Sequence, residues 1–259
     1  MDKKYTQEFF LSAGETDAEG QLSLPLLTSK MIDISTAHAN SMGIGNPAME
    51  ARGCGWVLSR LAMEMASYPR VNETYCLSTW IETWNRHFSE RIIEVSSPDG
   101  RKLGYARTIW MVLDTRTRES VGLGHLDIPD DIMVPDGCPI PRQGKHVLVV
   151  PEDFVGEPGR GAVRANMPEF DYVIKYCDLD FYRHVNTVRY VQLLVNRFTL
   201  EEWDRMEVAR MEIAFMRELR FGQTVKVLRA DADEDSLFSL MADDSGEPAM
   251  FARLTRRPR

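Results

Sequence analysis

Along several stretches of the chain, apolar and polar residues alternate one for one, and this alternation occurs twice in similar form. A shift of 150 positions lays Arg60-Leu61-Ala62-Met63-Glu64-Met65 over Arg210-Met211-Glu212-Ile213-Ala214-Phe215. The same shift lays Thr74-Tyr75-Cys76-Leu77 over Thr224-Val225-Lys226-Val227. A period of two is the mark of a strand with one buried face. A shift of 146 lays Asp99-Gly100 over Ser245-Gly246, and Tyr105-Ala106-Arg107 over Phe251-Ala252-Arg253. Both glycine pairs predict hairpin turns. The order of elements therefore repeats.

Ahead of the strands in each half the period lengthens to three and four. Leu27, Met31 and Ile34 predict a helix from about Leu24 to Met42, ended by Gly43 and Gly45. Val188, Val191, Val195 and Phe198 predict a second helix from Val185 to Trp203. A short strand is expected before each helix, from Tyr5 to Leu11 and from Tyr172 to Tyr176. Between the halves, residues 127–168 hold seven of the thirteen prolines, which disfavours helix and central strand. This stretch is expected to be an extended crossover in which Val147 to Val150 pairs as a strand. The expected organisation is thus 1–126, a proline-rich linker at 127–168, and 169–259.

An amphipathic helix must bury its stripe, and an antiparallel sheet has one face to offer it. Each half is therefore expected to wrap its sheet around its long helix. The predicted fold class is α+β, a tandem double hot-dog.

Composition adds exclusions. The chain has 259 residues, 44% hydrophobic and 27% charged, enough to bury a core without covalent staples. A net charge of −8 argues against nucleic acid as the main partner, although a local basic patch can sit on an acidic molecule. No apolar run approaches the length of about 18 residues that spans a membrane, and no signal-peptide core follows Met1 to Tyr5. A cytoplasmic location with reduced Cys54, Cys76, Cys138 and Cys177 is expected. No two cysteines form C-x-x-C, and His87, His125 and His146 lack partners at ligand spacing. No metal and no cofactor are expected. Cys177 is expected to be a small buried residue at a strand end, and Trp80, Trp84 and Trp110 to line core or pocket.

Chemistry concentrates at Asp178-Leu179-Asp180-Phe181-Tyr182-Arg183-His184-Val185-Asn186-Thr187. Two acids, a histidine and an amide precede a helix N-terminus, whose partial positive charge suits an oxyanion. A histidine there can move protons near neutral pH. The same residue types also serve as plain helix caps, and spacing alone leaves both readings open.

The run Asp178-Leu179-Asp180-x-x-x-His184-Val185-Asn186, followed by Tyr190, resembles the acyl-ACP thioesterases of plants and bacteria. So does an earlier block, Trp56-Val57-Leu58-Ser59-Arg60, then Tyr68-Pro69, then Thr79-Trp80. The resemblance implies hydrolysis of acyl-ACP to a free fatty acid and acyl carrier protein. It places the site residues at Asp180, His184 and Glu218. Tyr182 stands where the family carries Asn, and Leu219 stands where plant members carry Cys, which argues against a cysteine nucleophile. Tyr182 or Asn186 is left to orient the water or the carbonyl. Asp180 is expected to orient His184, and either His184 or Glu218 to act as base.

Aligning the two pre-helix segments sets Asp17 and Gln21 against Asp180 and His184, and the 150 shift sets Tyr68 against Glu218. One active site per chain is expected, in the second half, with the first half forming an acyl pocket along Met31, Ile34, His38 and Trp56. Arg183 and Arg189 are expected to dock the carrier, and Arg217 and Arg220 lie nearby. A built-in pair of hot-dogs allows a monomer or a homodimer. Two alternatives stay open: an acyl-CoA thioesterase, and a non-catalytic acyl- or carrier-binding protein.

Overall fold

The computed structural model describes residues 2–259 apart from Asp127, Pro129, Asp136 and Gly156, with Asp130 described by its backbone alone. Asp127 and Pro129, at the head of the expected linker, thus lie outside the described residues. The chain divides into two compact units, Met1–Arg142 and Gln143–Arg259. The boundary falls inside the proline-rich stretch, whose residues are shared between the units.

Unit 1 contains β1 (Lys4–Phe10), α1 (Leu24–Ser41), α2 (Asn46–Glu50), β2 (Cys54–Met65), β3 (Thr74–Trp84), β4 (Ser89–Ser96) and β5 (Lys102–Asp114). Its strands lie in the order β1-β3-β4-β5-β2, all neighbours antiparallel. Helix α1 closes as the glycines predict, with Gly43 at φ +74°. Leu27, Met31 and Ile34 are buried along one face of it, with His38 a turn further on. The short α2 was not legible in the periodicity.

Unit 2 contains β6 (Leu148–Val150), β7 (Ala162–Arg164), β8 (Phe170–Val173), α3 (Thr187–Val195), α4 (Leu200–Arg205), β9 (Met206–Phe215), β10 (Thr224–Ala232), β11 (Asp235–Ala242) and β12 (Pro248–Pro258). The order β9-β12-β11-β10-β8 repeats that of unit 1. Both expected glycine hairpins form: Gly100 (φ +88°) lies between β4 and β5, and Gly246 (φ +65°) between β11 and β12. β6 pairs with β7 in parallel, and Val149 and Ala165 pack with Leu228 and Ala230 of β10.

Two details of the sequence reading change. The single helix expected from Val185 to Trp203 is two helices. Thr199 caps α4, accepting from Glu202 N–H at 3.2 Å, while Glu202 accepts from Thr199 N–H at 2.6 Å. This reciprocal capping box favours starting a new helix over continuing the old one. The strand expected to reach Tyr176 ends at Val173, and Tyr176–Asp178 turn as a 3-10 helix. Cys177 is therefore exposed instead of buried. Among the described residues, no helix is long and apolar enough to cross a membrane.

Candidate active site

The segment before each helix folds the same way in both units. Asp17 Oδ1 accepts from the backbone N–H of Glu19 and Gln21, at 3.1 and 2.9 Å. Asp180 Oδ1 accepts from Tyr182 and His184, at 2.9 and 3.1 Å. Both turns close with a backbone bond of 2.8 Å, Asp17 N–H to Gln21 and Asp180 N–H to His184. Each then meets the loop after the next long strand: Leu22 N–H donates to Pro69, and Val185 N–H to Leu219, both at 2.9 Å. The aspartate is short enough to bond the main chain two and four residues on, which is why this residue type recurs at the turn.

On that shared frame the side chains differ. In unit 2 His184 Nε2 lies 3.4 Å from Glu218 Oε2, with both side chains partly exposed. At the matching places unit 1 has Gln21 and Tyr68, both buried. The frame thus brings together the histidine and glutamate expected from sequence. Asp180 sits on this frame as an acceptor of backbone N–H bonds. Its described bonds run to backbone N–H groups, so it sets the histidine's position through the main chain. Asn186 is the N-cap of α3, its Oδ1 accepting from Val188 N–H at 3.0 Å. Tyr182 is half-buried beside Phe181, with ring centroids 4.0 Å apart. The Leu219 side chain is fully buried, so no nucleophile stands there.

Arg183 adopts φ +64° where unit 1 has Gly20 at φ +71°. A left-handed conformation strains a residue with a Cβ by about 1 kcal/mol. Arg183→Gly is expected to raise stability by about that amount, measured as a higher urea midpoint.

Asp178, which the sequence reading did not assign, is buried and accepts from Tyr172 Oη at 2.9 Å and Lys175 N–H at 2.6 Å. Arg189 Nε lies 3.6 Å from its Oδ1 and donates to the Cys177 carbonyl at 2.9 Å. Arg189 therefore braces the turn from inside unit 2. The signal for this was present in sequence: Glu15, an acid beside the matching turn, takes the same backbone bond from Ser12 at 3.1 Å.

The expected acyl-pocket residues all lie in unit 1. Met31 and Ile34 are buried core. Trp56 Nε1–H donates to the Ile44 carbonyl at 2.7 Å and meets Trp84 edge-on. His38 is fully buried, with Nδ1 2.7 Å from Arg91 Nη1 and Nε2 3.1 Å from the Asp2 carbonyl. Burial first, and the Arg91 guanidinium second, lower its pKa to about 4. Because the folded value lies below the unfolded one, the stability from a neutral His38 is complete above pH 6.5. It is lost progressively as pH falls towards 4. A His38→Gln variant is expected to show a flatter fall in thermal midpoint across that window.

Among the described residues, no group of three His, Cys, Asp or Glu side chains is placed to hold a metal ion. The site places a histidine and a glutamate 3.4 Å apart beside a helix start, in the second of two hot-dog units. That combination defines an α+β tandem hot-dog with hydrolase-type side chains in one unit.

Comparison with known proteins identifies the family. The acyl-ACP thioesterase N-terminal domain matches residues 2–134 and the C-terminal domain matches residues 163–250. The chain belongs to the acyl-ACP thioesterase family. A chloroplastic acyl-[acyl-carrier-protein] hydrolase of Cuphea viscosissima is 22% identical over 98% of this chain and 63% of its own length. A chloroplastic oleoyl-acyl carrier protein thioesterase of Coriandrum sativum is 22% identical over 95% of this chain and 68% of its own. The chain spans 63%, 56% and 52% of the first three curated relatives. An acyl-ACP thioesterase from Bacteroides thetaiotaomicron superposes with a TM-score of 0.85 at 25% identity, covering 98% of both chains. The 12:0-ACP thioesterase from Umbellularia californica shares the fold, with a TM-score of 0.78 at 18% identity over 99% of this chain and 95% of its own.

Proposed function

We propose that this protein hydrolyses acyl-ACP thioesters to free fatty acid and acyl carrier protein, using one site per chain in unit 2. The observation that carries the reading is the His184–Glu218 pair at 3.4 Å, set on a frame whose copy in unit 1 lacks both groups. Family membership supplies the substrate class.

A thioester carbonyl is already activated, because sulfur donates weakly to it. The pair needs only to take a proton from a positioned water. The water oxygen then bonds to the carbonyl carbon, the C–S bond breaks, and the proton passes to the departing thiolate. Asp180 and the cap residue Asn186 hold the turn on which His184 sits. Four free cysteines suit a reducing compartment, the expected cytoplasm.

The test is a hydrolysis panel over acyl chain lengths, each presented on carrier protein and on coenzyme A. Higher kcat/KM on the carrier supports the reading, and preference for coenzyme A replaces it with an acyl-CoA hydrolase. Tyr182, where the family usually has Asn, and Leu219, where plant members have Cys, motivate a second reading, a binding protein without turnover. Tight acyl-thioester binding with no product would establish that one.

A further inference from the structure

We propose that Tyr176, Phe181 and Phe221, with Lys175, Arg183 and Arg220, form the face on which an acidic carrier protein docks. This rests on the hydrolase reading above and deepens it.

The aromatics are 82%, 74% and 64% exposed, unusual for large apolar side chains. They belong to one neighbourhood. Arg220 is bridged to His184, and Gly222 N–H donates to the Ile174 carbonyl at 3.0 Å, immediately before Lys175 and Tyr176. Phe181 and Arg183 lie in the turn that closes on His184. The patch therefore rims the catalytic pair.

The repeat supplies an internal control. At the positions of Tyr176, Phe181 and Phe221, unit 1 has Ala13, Ala18 and Val71. At those of Lys175, Arg183 and Arg220 it has Ser12, Gly20 and Arg70. The backbone bonds are matched: Asn72 N–H donates to Leu11 at 2.8 Å as Gly222 does to Ile174, and Arg70 N–H meets Glu73 Oε2 at 2.8 Å as Arg220 N–H meets Gln223 Oε1 at 2.6 Å. The fold thus requires neither the aromatics nor the extra cations. Both are found in the unit that carries the acid–base pair, and Arg183 is kept there at a strained φ.

Charge selects the partner. The chain as a whole carries −8, which repels an acidic protein, so productive approach needs a local positive field. Among the described residues, the side chains of Lys175, Arg183 and Arg220 are in no ion pair. Arg217, by contrast, lies within reach of Asp244 and Glu247, and Arg189 within reach of Asp178. Three uncommitted cations beside three exposed rings suit an acidic surface with an apolar centre. They recommend Arg183 and Arg220 over Arg189 as docking groups.

The test titrates fluorescently labelled holo-acyl carrier protein against the full chain at low salt. It compares wild type, Lys175→Glu/Arg220→Glu/Phe221→Ser, and Lys145→Glu/Arg160→Glu. The last pair is exposed, lies outside the rim and makes the same change in net charge. The rim variant is expected to weaken binding by at least about tenfold, while the control stays within about twofold of wild type. Its kcat/KM on acyl-carrier protein should fall by a similar factor relative to the same acyl group on N-acetylcysteamine. Equal weakening by the control, or unchanged binding by the rim variant, overturns the docking face. So does a shift from dimer to monomer in sedimentation with carrier affinity intact, which would assign the patch to a second copy of the chain. Carrier binding with no hydrolysis by the wild type would overturn the proposed function and leave the docking face standing.

Discussion

His184→Ala is expected to lower kcat for acyl-ACP hydrolysis by about 10²–10⁴-fold, the usual range for a lost acid–base group. KM should change little, because the proposed role of the imidazole is proton transfer and not substrate binding. Glu218→Gln separates the roles of the pair. If the carboxylate is the base, its removal costs as much as removal of the histidine, and the double variant is no worse than either. If the histidine is the base, Glu218 sits 3.4 Å from Nε2 as a positioning residue. The glutamine variant then keeps most of kcat. Gln21 and Tyr68, which occupy the matching places in unit 1, are the natural comparison. Gln21→His/Tyr68→Glu would place the pair on the equivalent frame. Full activity surviving in His184→Ala would remove His184 from the chemistry.

How far the sequence revealed this depends on the interaction concerned. Strand alternation was readable because each sheet buries one face, which imposes a strict period of two. The 150 shift therefore gave β9 and β10 over β2 and β3. The pairing of His184 with Glu218 was readable only through the resemblance, because the contact joins two loops more than thirty residues apart. The break after α3 was missed although its signal, Thr199 with Glu202 three residues on, was in plain view. Val191, Val195 and Phe198 continue the apolar spacing through the break, and periodicity outweighed the cap. Asp180 illustrates a different limit. A carboxylate beside a histidine in sequence invites a triad, yet its Oδ1 is held by the backbone two and four residues on. Local main-chain bonds compete with side-chain chemistry, and sequence does not show which prevails.

The largest expected loss of stability comes from a residue far from any motif. Arg229, in β10, is fully buried. Its Nε and Nη2 meet both oxygens of Asp231 at 2.9 and 2.7 Å, Nη2 also meets Glu202 at 2.6 Å, and Nη1 donates to the Arg197 carbonyl at 2.5 Å. The guanidinium lies 3.8 Å over the Phe198 ring. One planar fork thus fastens the broken stretch between α3 and α4 to the sheet. Arg229→Met preserves apolar volume and removes the guanidinium from two carboxylates and a carbonyl, leaving Glu202 only its bond from Thr199 N–H and Asp231 its bond from Ser236 Oγ. Breaking a buried pair in this way costs about 3–5 kcal/mol. Because the Glu202 and Asp231 side chains are about a quarter exposed and can hydrate, the lower end is expected. Arg229→Lys keeps the charge without the fork and should fall between wild type and Arg229→Met. Acid adds a check with a definite sign. Burial alone would raise the Glu202 pKa, but the bond to Arg229 and the cap bond at Thr199 bring it below the ordinary value. Its contribution is complete above that ordinary value and is lost as pH falls through the folded one. The gap in urea midpoint between wild type and Arg229→Met should therefore narrow on acidification, with hydrogen exchange in β10 reporting the same trend locally. A gap that is small at neutral pH, or that widens in acid, would show that packing and not the charged fork holds α4 to the sheet.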